Sequence, residues 1–293
     1  MVTPFKQNGD VDYEAFAYNI EKWNDDNLTG YLVSGSNSEA CYISTEESIE
    51  LLKIAKQKAK PDRIVMMGTG QESLWATLKF TNECAKAGAD YALVLTPCYY
   101  DASMSSEVLI NFFTTVADQS EIPILIYNVP KFTHVNIKAD AVAKLADHPN
   151  IVGMKDSTGD IQQLATFKRV TAGKDFEIIV GTSNSWFSAI GIEVIAGIHA
   201  SANCLPNACA EVQVAYDAGD FDRALAIHQV IFPLNVAVTA TYGIAGLKYA
   251  CDLQGYKGGF PRRPLLPVSE ESKAAIRDLL AVTNEKLAAL GVK

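Results

Sequence analysis

Residues 123–157 read PILIYNVPKFTHVNIKADAVAKLADHPNIVGMKDS and fall into three parts. Residues 123–130 are a short apolar run closed by proline at both ends, the pattern of a strand. Residues 138–148 carry apolar side chains at three- and four-residue steps, the pattern of a helix that buries one face. Residues 151–157 return to an apolar run, Ile151-Val152-Gly153-Met154, that ends on Lys155-Asp156-Ser157. Strand, helix and strand at this spacing predict a βαβ unit with parallel strands.

The same alternation runs outward from this unit, from the N-terminus to about residue 220. Further strands are predicted at 1–4, 30–35, 63–68, 91–97, 177–182 and 197–202, which with the two above makes eight. Further helices are predicted at 11–26, 45–60, 74–87, 105–119 and 161–170, and Ser44-Thr45-Glu46-Glu47 has the form of a capping box. Eight right-handed βα units of this size predict an α/β fold, a TIM (β/α)8 barrel. An open doubly wound sheet is the competing architecture, because closure is not written in a strand pattern. Helices at 221–238, 242–252 and 269–290, broken by GYKGGFPRRPLLP, predict an appended C-terminal helical layer. The expected organisation is residues 1–220 as the barrel and 221–293 as helices packed on it in a single structural unit.

Composition narrows the function. The chain has 293 residues, 48% hydrophobic and 20% charged, enough for a large core and unlike a disordered chain. Lys and Arg number 25 against 34 Asp and Glu, a formal charge of -9 with no basic block, which argues against a nucleic-acid partner. No apolar run approaches the roughly 20 residues that cross a bilayer, and MVTPFKQNGD has neither a signal-peptide core nor a transit-peptide pattern. The six cysteines form no C-x-x-C pair, so buried thiols in a reducing, cytosol-like compartment are expected. The four histidines are isolated, and no metal-ligand spacing appears.

In a barrel the chemistry sits at the C-terminal ends of the strands. Alternation places Lys155 on the same strand face as Gly153 and Ile151. If that face points inward, the amine loses hydration, its charged form is disfavoured, and it can attack a carbonyl to form a Schiff base. The competing reading is a lysine that reaches water from the strand end, paired with Asp156. Tyr127 ends the neighbouring strand at the same height and is either a proton relay or a packing residue. Gly35-Ser36-Asn37-Ser38-Glu39 follows a strand and is suited to aim backbone N–H groups and a hydroxyl at a carboxylate, or is an ordinary polar turn. Gly68-Thr69-Gly70 lacks the rest of a nucleotide fingerprint, His199 in the last predicted strand reads as a core residue, and Cys98 has no His/Asp escort for nucleophilic catalysis.

Val2-Thr3-Pro4-Phe5, Gly35-Ser36-Asn37-Ser38-Glu39, Thr96-Pro97, Tyr127-Asn128-Val129-Pro130 and Gly153-Met154-Lys155-Asp156-Ser157, in this order, resemble the pyruvate-dependent class I aldolase family of dihydrodipicolinate synthase and N-acetylneuraminate lyase. Thr96-Pro97-Cys98-Tyr99-Tyr100, the 149–157 run and Gly243-Ile244-Ala245-Gly246-Leu247-Lys248 are most similar to the 4-hydroxy-2-oxoglutarate aldolase branch. The resemblance implies a cofactor-free lyase acting on a 2-oxo acid and an aldehyde. It makes Lys155 the Schiff-base lysine, Tyr127 the proton shuttle, Ser36 the hydroxyl linking two tyrosines, and Tyr99 the second tyrosine, inserted from an adjacent subunit of a homotetramer. It assigns Ser36 and Asn37 to the pyruvate carboxylate, and Ser157, Gly181 and Ile198 to the substrate pocket.

Three positions depart from the family pattern. Phe132 stands where dihydrodipicolinate synthases carry an arginine for the distal carboxylate of the aldehyde, and an aromatic ring cannot make that bidentate contact. His134 and Ser38 each stand where a glycine is usual. The resemblance therefore favours cleavage of 4-hydroxy-2-oxoglutarate to pyruvate and glyoxylate over dihydrodipicolinate synthesis or another pyruvate aldolase activity; a silent barrel that only binds a 2-oxo acid is the reading from outside enzymology. The first strand is short for the family, and the expected location is intracellular, with cytosol and mitochondrial matrix not separated.

Overall fold

The structure, a computed structural model, describes residues 1–292. The chain folds as two compact units, residues 1–64 with 199–293 and residues 65–198. The first unit opens with α1 (Tyr13–Trp23), β1 (Gly30–Val33) and α2 (Thr45–Lys58). The second alternates strands and helices: β2 (Ile64–Gly68), α3 (Leu74–Lys86), β3 (Tyr91–Leu95), α4 (Ser106–Gln119), β4 (Ile124–Asn128), α5 (Pro130–Thr133), α6 (Ala139–Leu145), β5 (Ile151–Asp156), α7 (Ile161–Val170), β6 (Glu177–Val180), α8 (Trp186–Ile190) and β7 (Ala196–Gly197). The first unit then resumes with α9 (Pro206–Asp217), α10 (Phe221–Val236), α11 (Gly243–Leu253) and α12 (Glu270–Ala289).

Helix starts follow local chemistry. Asp12, Ser73, Ser105 and Asp160 each accept a hydrogen bond from the backbone N–H three residues on, a cap worth about 1 kcal/mol. The expected capping box is present: Ser44 Oγ accepts from the Glu47 N–H at 3.2 Å and Glu47 Oε2 from the Ser44 N–H at 2.9 Å. Two helices were not foreseen besides the single turn of α5. The buried face of α9 is made of small residues, Ala208, Cys209 and Ala215 beside Val212, which blurs its periodicity, and α8 is only five residues long.

From β2 to β7 each strand pairs in parallel with the next one in the chain. A doubly wound sheet reverses its strand order at a switch point, and this unit has no reversal. The register places Leu95, Tyr127, Lys155 and Ile179 side by side on one face, with Asn128, Asp156 and Val180 on the other. Ile126, Met154 and Ile178 on that second face are fully buried.

The terminal predicted strands differ from expectation. Residues 1–4 form no strand: the Met1 amine donates to the Leu32 carbonyl, the Val2 N–H donates to Asn203 Oδ1, and Pro4 has no N–H to give to a ladder. The predicted strand at 197–202 shrinks to β7, because Ala200 turns into the helical region and a 3₁₀ turn occupies Ser201–Asn203. His199 accordingly lies beyond the strand, where it is buried. Phe221–Thr241, with an 18-residue window of mean hydropathy 1.4, is long and apolar enough to cross a membrane, contrary to the expectation from unbroken apolar runs. Its Ala224, Ile227, Ile231 and Leu234 are buried inside the first unit, while Phe221, Leu225 and Phe232 on the same helix are exposed. A π-turn, Ala237–Thr241, joins α10 to α11.

Candidate active site

Lys155 and Tyr127 are direct register partners on β5 and β4, so their side chains leave the same face at the same height. The Lys155 Nζ lies 4.4 Å from the centre of the Tyr127 ring, and the residue is only 6% exposed. Among the described residues Lys155 forms no ion pair. It does not pair with Asp156, contrary to the alternative expectation, because Asp156 lies on the opposite face and is fully buried. Its Oδ2 accepts from Asn128 Nδ2 at 2.7 Å and Gln163 Nε2 at 2.9 Å, and its Oδ1 from the N–H and hydroxyl of Thr158. Those four donors occupy the carboxylate's acceptor positions, and they bolt β4, β5 and α7 together directly behind the lysine.

The strand ends continue the site within the second unit. Ser157 N–H donates to the Asn128 carbonyl at 2.9 Å, and Gly181 N–H donates to the Asp156 carbonyl at 2.6 Å. A Cβ at Gly181 would overlap the Ser157 hydroxyl, so glycine there makes room for that serine. The Ser157 Oγ and Thr96 Oγ1 are buried without a hydrogen-bond partner. A buried hydroxyl left unpaired costs about 1–3 kcal/mol, which a bound polar ligand would recover. Ile198 closes the unit, its N–H donating to Val180 at 2.9 Å.

Tyr99 is placed differently. It is 78% exposed, on a turn after β3, with its ring edge-on to Tyr100 at 5.0 Å. That turn is held by Glu72, whose Oε2 accepts from the N–H groups of Cys98 and Tyr99 at 3.0 and 2.8 Å and whose Oε1 accepts from the Cys98 thiol at 3.0 Å. Burial, then the Glu72 carboxylate, push the Cys98 thiol up to about 11, which keeps it protonated and unsuited to nucleophilic attack. Glu72 escaped the sequence reading: a lone glutamate after a Gly-Thr-Gly turn carries no signal of its partner some 25 residues on.

Ser36 and Asn37 belong to the first unit. They form a 3₁₀ turn, Ser36–Ser38, entered from extended Gly35 and closed by Glu39 in the left-handed region at φ 59°. Ser38, where glycine is usual, has a use for its hydroxyl: it donates to the Met1 carbonyl at 2.6 Å and accepts from the Gly35 N–H at 3.2 Å. His134, also in place of glycine, sits at φ 56° as the cap of α5, a backbone position glycine takes without strain. Phe132 on α5 is 55% exposed, with Lys131 Nζ 5.6 Å from its ring centre. Among the described residues no cluster of His, Cys, Asp or Glu could hold a metal ion, and all six cysteines are free thiols.

Residues 1–283 match the dihydrodipicolinate synthetase family. The chain is 32% identical over 280 residues to a 4-hydroxy-tetrahydrodipicolinate synthase of Methanothrix thermoacetophila, covering 96% of this chain and 94% of that one. It is 33% identical over 282 residues to the enzyme of the same name from Haloarcula marismortui, covering 96% and 91%. The solved 4-hydroxy-tetrahydrodipicolinate synthase of Methylacidiphilum fumariolicum SolV superposes with a TM-score of 0.93 at 26% identity, over 99% of this chain and 96% of that one.

Proposed function

Because the chain belongs to the dihydrodipicolinate synthetase family, with its TIM-barrel fold, C-terminal helical region and class I pyruvate-dependent lyase chemistry, we propose that Lys155 is its Schiff-base residue. The observation that carries the proposal is the buried Lys155 amine, set against the Tyr127 ring at 4.4 Å and free of any carboxylate. A lysine kept for stability would be paired; one kept for attack on a ketone is held dry with its amine accessible to a ligand.

In the proposed reaction the Lys155 nitrogen attacks the C2 ketone of a 2-oxo acid and water leaves, which gives a protonated imine. That imine draws the electron pair of the breaking C3–C4 bond, so cleavage yields an enamine and an aldehyde. Tyr127 takes the C4 hydroxyl proton and returns a proton to C3 of the enamine; hydrolysis then releases pyruvate. The reverse sequence is an aldol addition. Ser36 and Asn37 are assigned to the carboxylate, Ser36 and Tyr99 to the onward proton path, and Ser157, Gly181 and Ile198 to the substrate pocket. The exposure of Tyr99 accords with the family-derived role for this residue, contributed from one copy to another in a homo-oligomer.

The names of the relatives favour condensation of pyruvate with aspartate semialdehyde, the 4-hydroxy-tetrahydrodipicolinate synthase reaction. Phe132 favours the second reading, cleavage of 4-hydroxy-2-oxoglutarate, because the second unit offers no arginine at its strand ends: its one arginine, Arg169, lies in the last turn of α7. Borohydride reduction in the presence of pyruvate, followed by peptide mass spectrometry, tests the shared step; absence of an adduct on Lys155 removes it. Initial rates with the two substrate sets decide between the readings. Phe132→Arg is expected to raise condensation relative to cleavage by about tenfold, the worth of one charge-assisted contact.

A further inference from the structure

The Glu39 side chain, in the turn that carries Ser36 and Asn37, is buried beside a lysine that none of the steps above uses. Lys248 projects from α11, within the Gly243–Lys248 motif, and is among the largest fully buried side chains of the chain at 1% exposure. Its Nζ lies 2.5 Å from Glu39 Oε1, donates to the Phe260 carbonyl at 2.7 Å, and sits 4.5 Å from the centre of the Phe5 ring. The second Glu39 oxygen accepts from the Arg262 N–H at 2.8 Å. Arg262 in turn donates to the Tyr42 carbonyl at 2.7 Å and grips both oxygens of Glu47 at 2.6 Å. Every one of these residues lies in the first unit.

We propose that Lys248 is a positioning residue for the carboxylate-binding turn: through Glu39 it fixes the Ser36-Asn37 backbone in the geometry that receives the carboxylate of a 2-oxo acid. The inference rests on the proposed function for the assignment of Ser36 and Asn37. Two observations and one general argument support it. Glu39 occupies the left-handed region, which a non-glycine residue holds only where its surroundings impose it. Its backbone closes one 3₁₀ turn and opens the next, the Glu39 N–H donating to Ser36 at 3.2 Å and the Tyr42 N–H donating to Glu39 at 2.8 Å, so rotation at Glu39 moves Ser36 and Asn37 directly. Finally, a buried ion pair seldom exceeds the stability of a well-packed apolar pair, whereas it does fix direction, because each charge must meet its partner. Lys248 and Arg262 together hold the 36–42 segment at Glu39 and at Tyr42.

The test uses the full-length protein and the double variant Glu39→Gln/Lys248→Met, which removes both charges together and leaves a neutral acceptor for the Arg262 N–H. Deuterium exchange of the peptide covering 36–42 reads the clamp, and pyruvate kinetics read its consequence. The expected result is exchange faster by about tenfold or more in that peptide, with a pyruvate KM raised by about tenfold and kcat within about threefold of the parent. Unchanged exchange, or a raised KM without faster exchange, overturns the proposal. If the double variant does not fold, Glu39→Gln alone is measured against the same two criteria. A parent protein that forms no borohydride-trapped pyruvate adduct sinks the Schiff-base reading instead; the exchange comparison then decides the clamp by itself.

Discussion

The end of β5 and the middle of α11 each bury one lysine, and the two are solvated in opposite ways. Lys248 meets Glu39 at 2.5 Å and a backbone carbonyl at 2.7 Å, while Lys155 meets an aromatic face at 4.4 Å and no carboxylate. Burial pulls the Lys248 pKa below the ordinary lysine value, and Glu39 opposes that pull. A compensated lysine stabilises a geometry; an uncompensated one stays available for covalent chemistry. Neighbouring carboxylates separate the two roles as well: Asp156, next to Lys155 in sequence, is committed to Asn128, Gln163 and Thr158, whereas Glu39, 209 positions from Lys248 in sequence, is committed to it.

That contrast fails at once if the two lysines respond alike to truncation. Lys155→Ala is expected to lower turnover by about a thousandfold or more and to abolish the trapped adduct, since the nucleophilic amine is removed. Its unfolding free energy should stay within about 1 kcal/mol of the parent, because no ion pair is broken. Lys248→Met should do the reverse to stability, with a loss of about 3–5 kcal/mol in urea titration as Glu39 is left buried and uncompensated. Equal destabilisation by both substitutions would erase the distinction.

Acid offers a finer probe of the first unit. Hydrogen bonds from Arg262 come first among the causes that hold the Glu47 carboxyl below its ordinary 4.5, burial opposes them, and the Ser44 N–H adds to the lowering. A depressed folded-state value means that this contribution is complete above 4.5 and disappears as pH falls through the folded value. Urea midpoints measured from about pH 7 down to about pH 3 should therefore fall, and Glu47→Gln should flatten part of that slope. A slope identical in the variant would exclude the Arg262 pair as its source.

The smallest expected effect concerns α5. His134 is exposed and left-handed, so His134→Gly relieves backbone strain at little loss of contacts, with a gain of about 0.5–1 kcal/mol after the added freedom of the unfolded chain is subtracted. A thermal midpoint lower than the parent's would show that the imidazole contributes contacts outweighing the strain.

Residue order alone determined the βα rhythm, the helix caps, and the placement of Tyr127 and Lys155 on one face, because period-two alternation and capping chemistry are local. The 44–47 capping box and the helix at Ile161–Val170 are legible for that reason. The resemblance of five short motifs supplied what locality could not, including Tyr99, Gly181 and Ile198. Tertiary structure alone decided the rest. Residues 1–4 join no ladder, since their partners are the Leu32 carbonyl and an Asn203 side chain. Which acid serves which lysine was equally hidden: adjacency in sequence suggested Asp156 for Lys155, and the fold instead commits that carboxylate to Asn128, Gln163 and Thr158. Glu39 found Lys248 across most of the chain's length, because a buried charge is satisfied by whatever the fold brings within reach, and chain distance does not enter that energy.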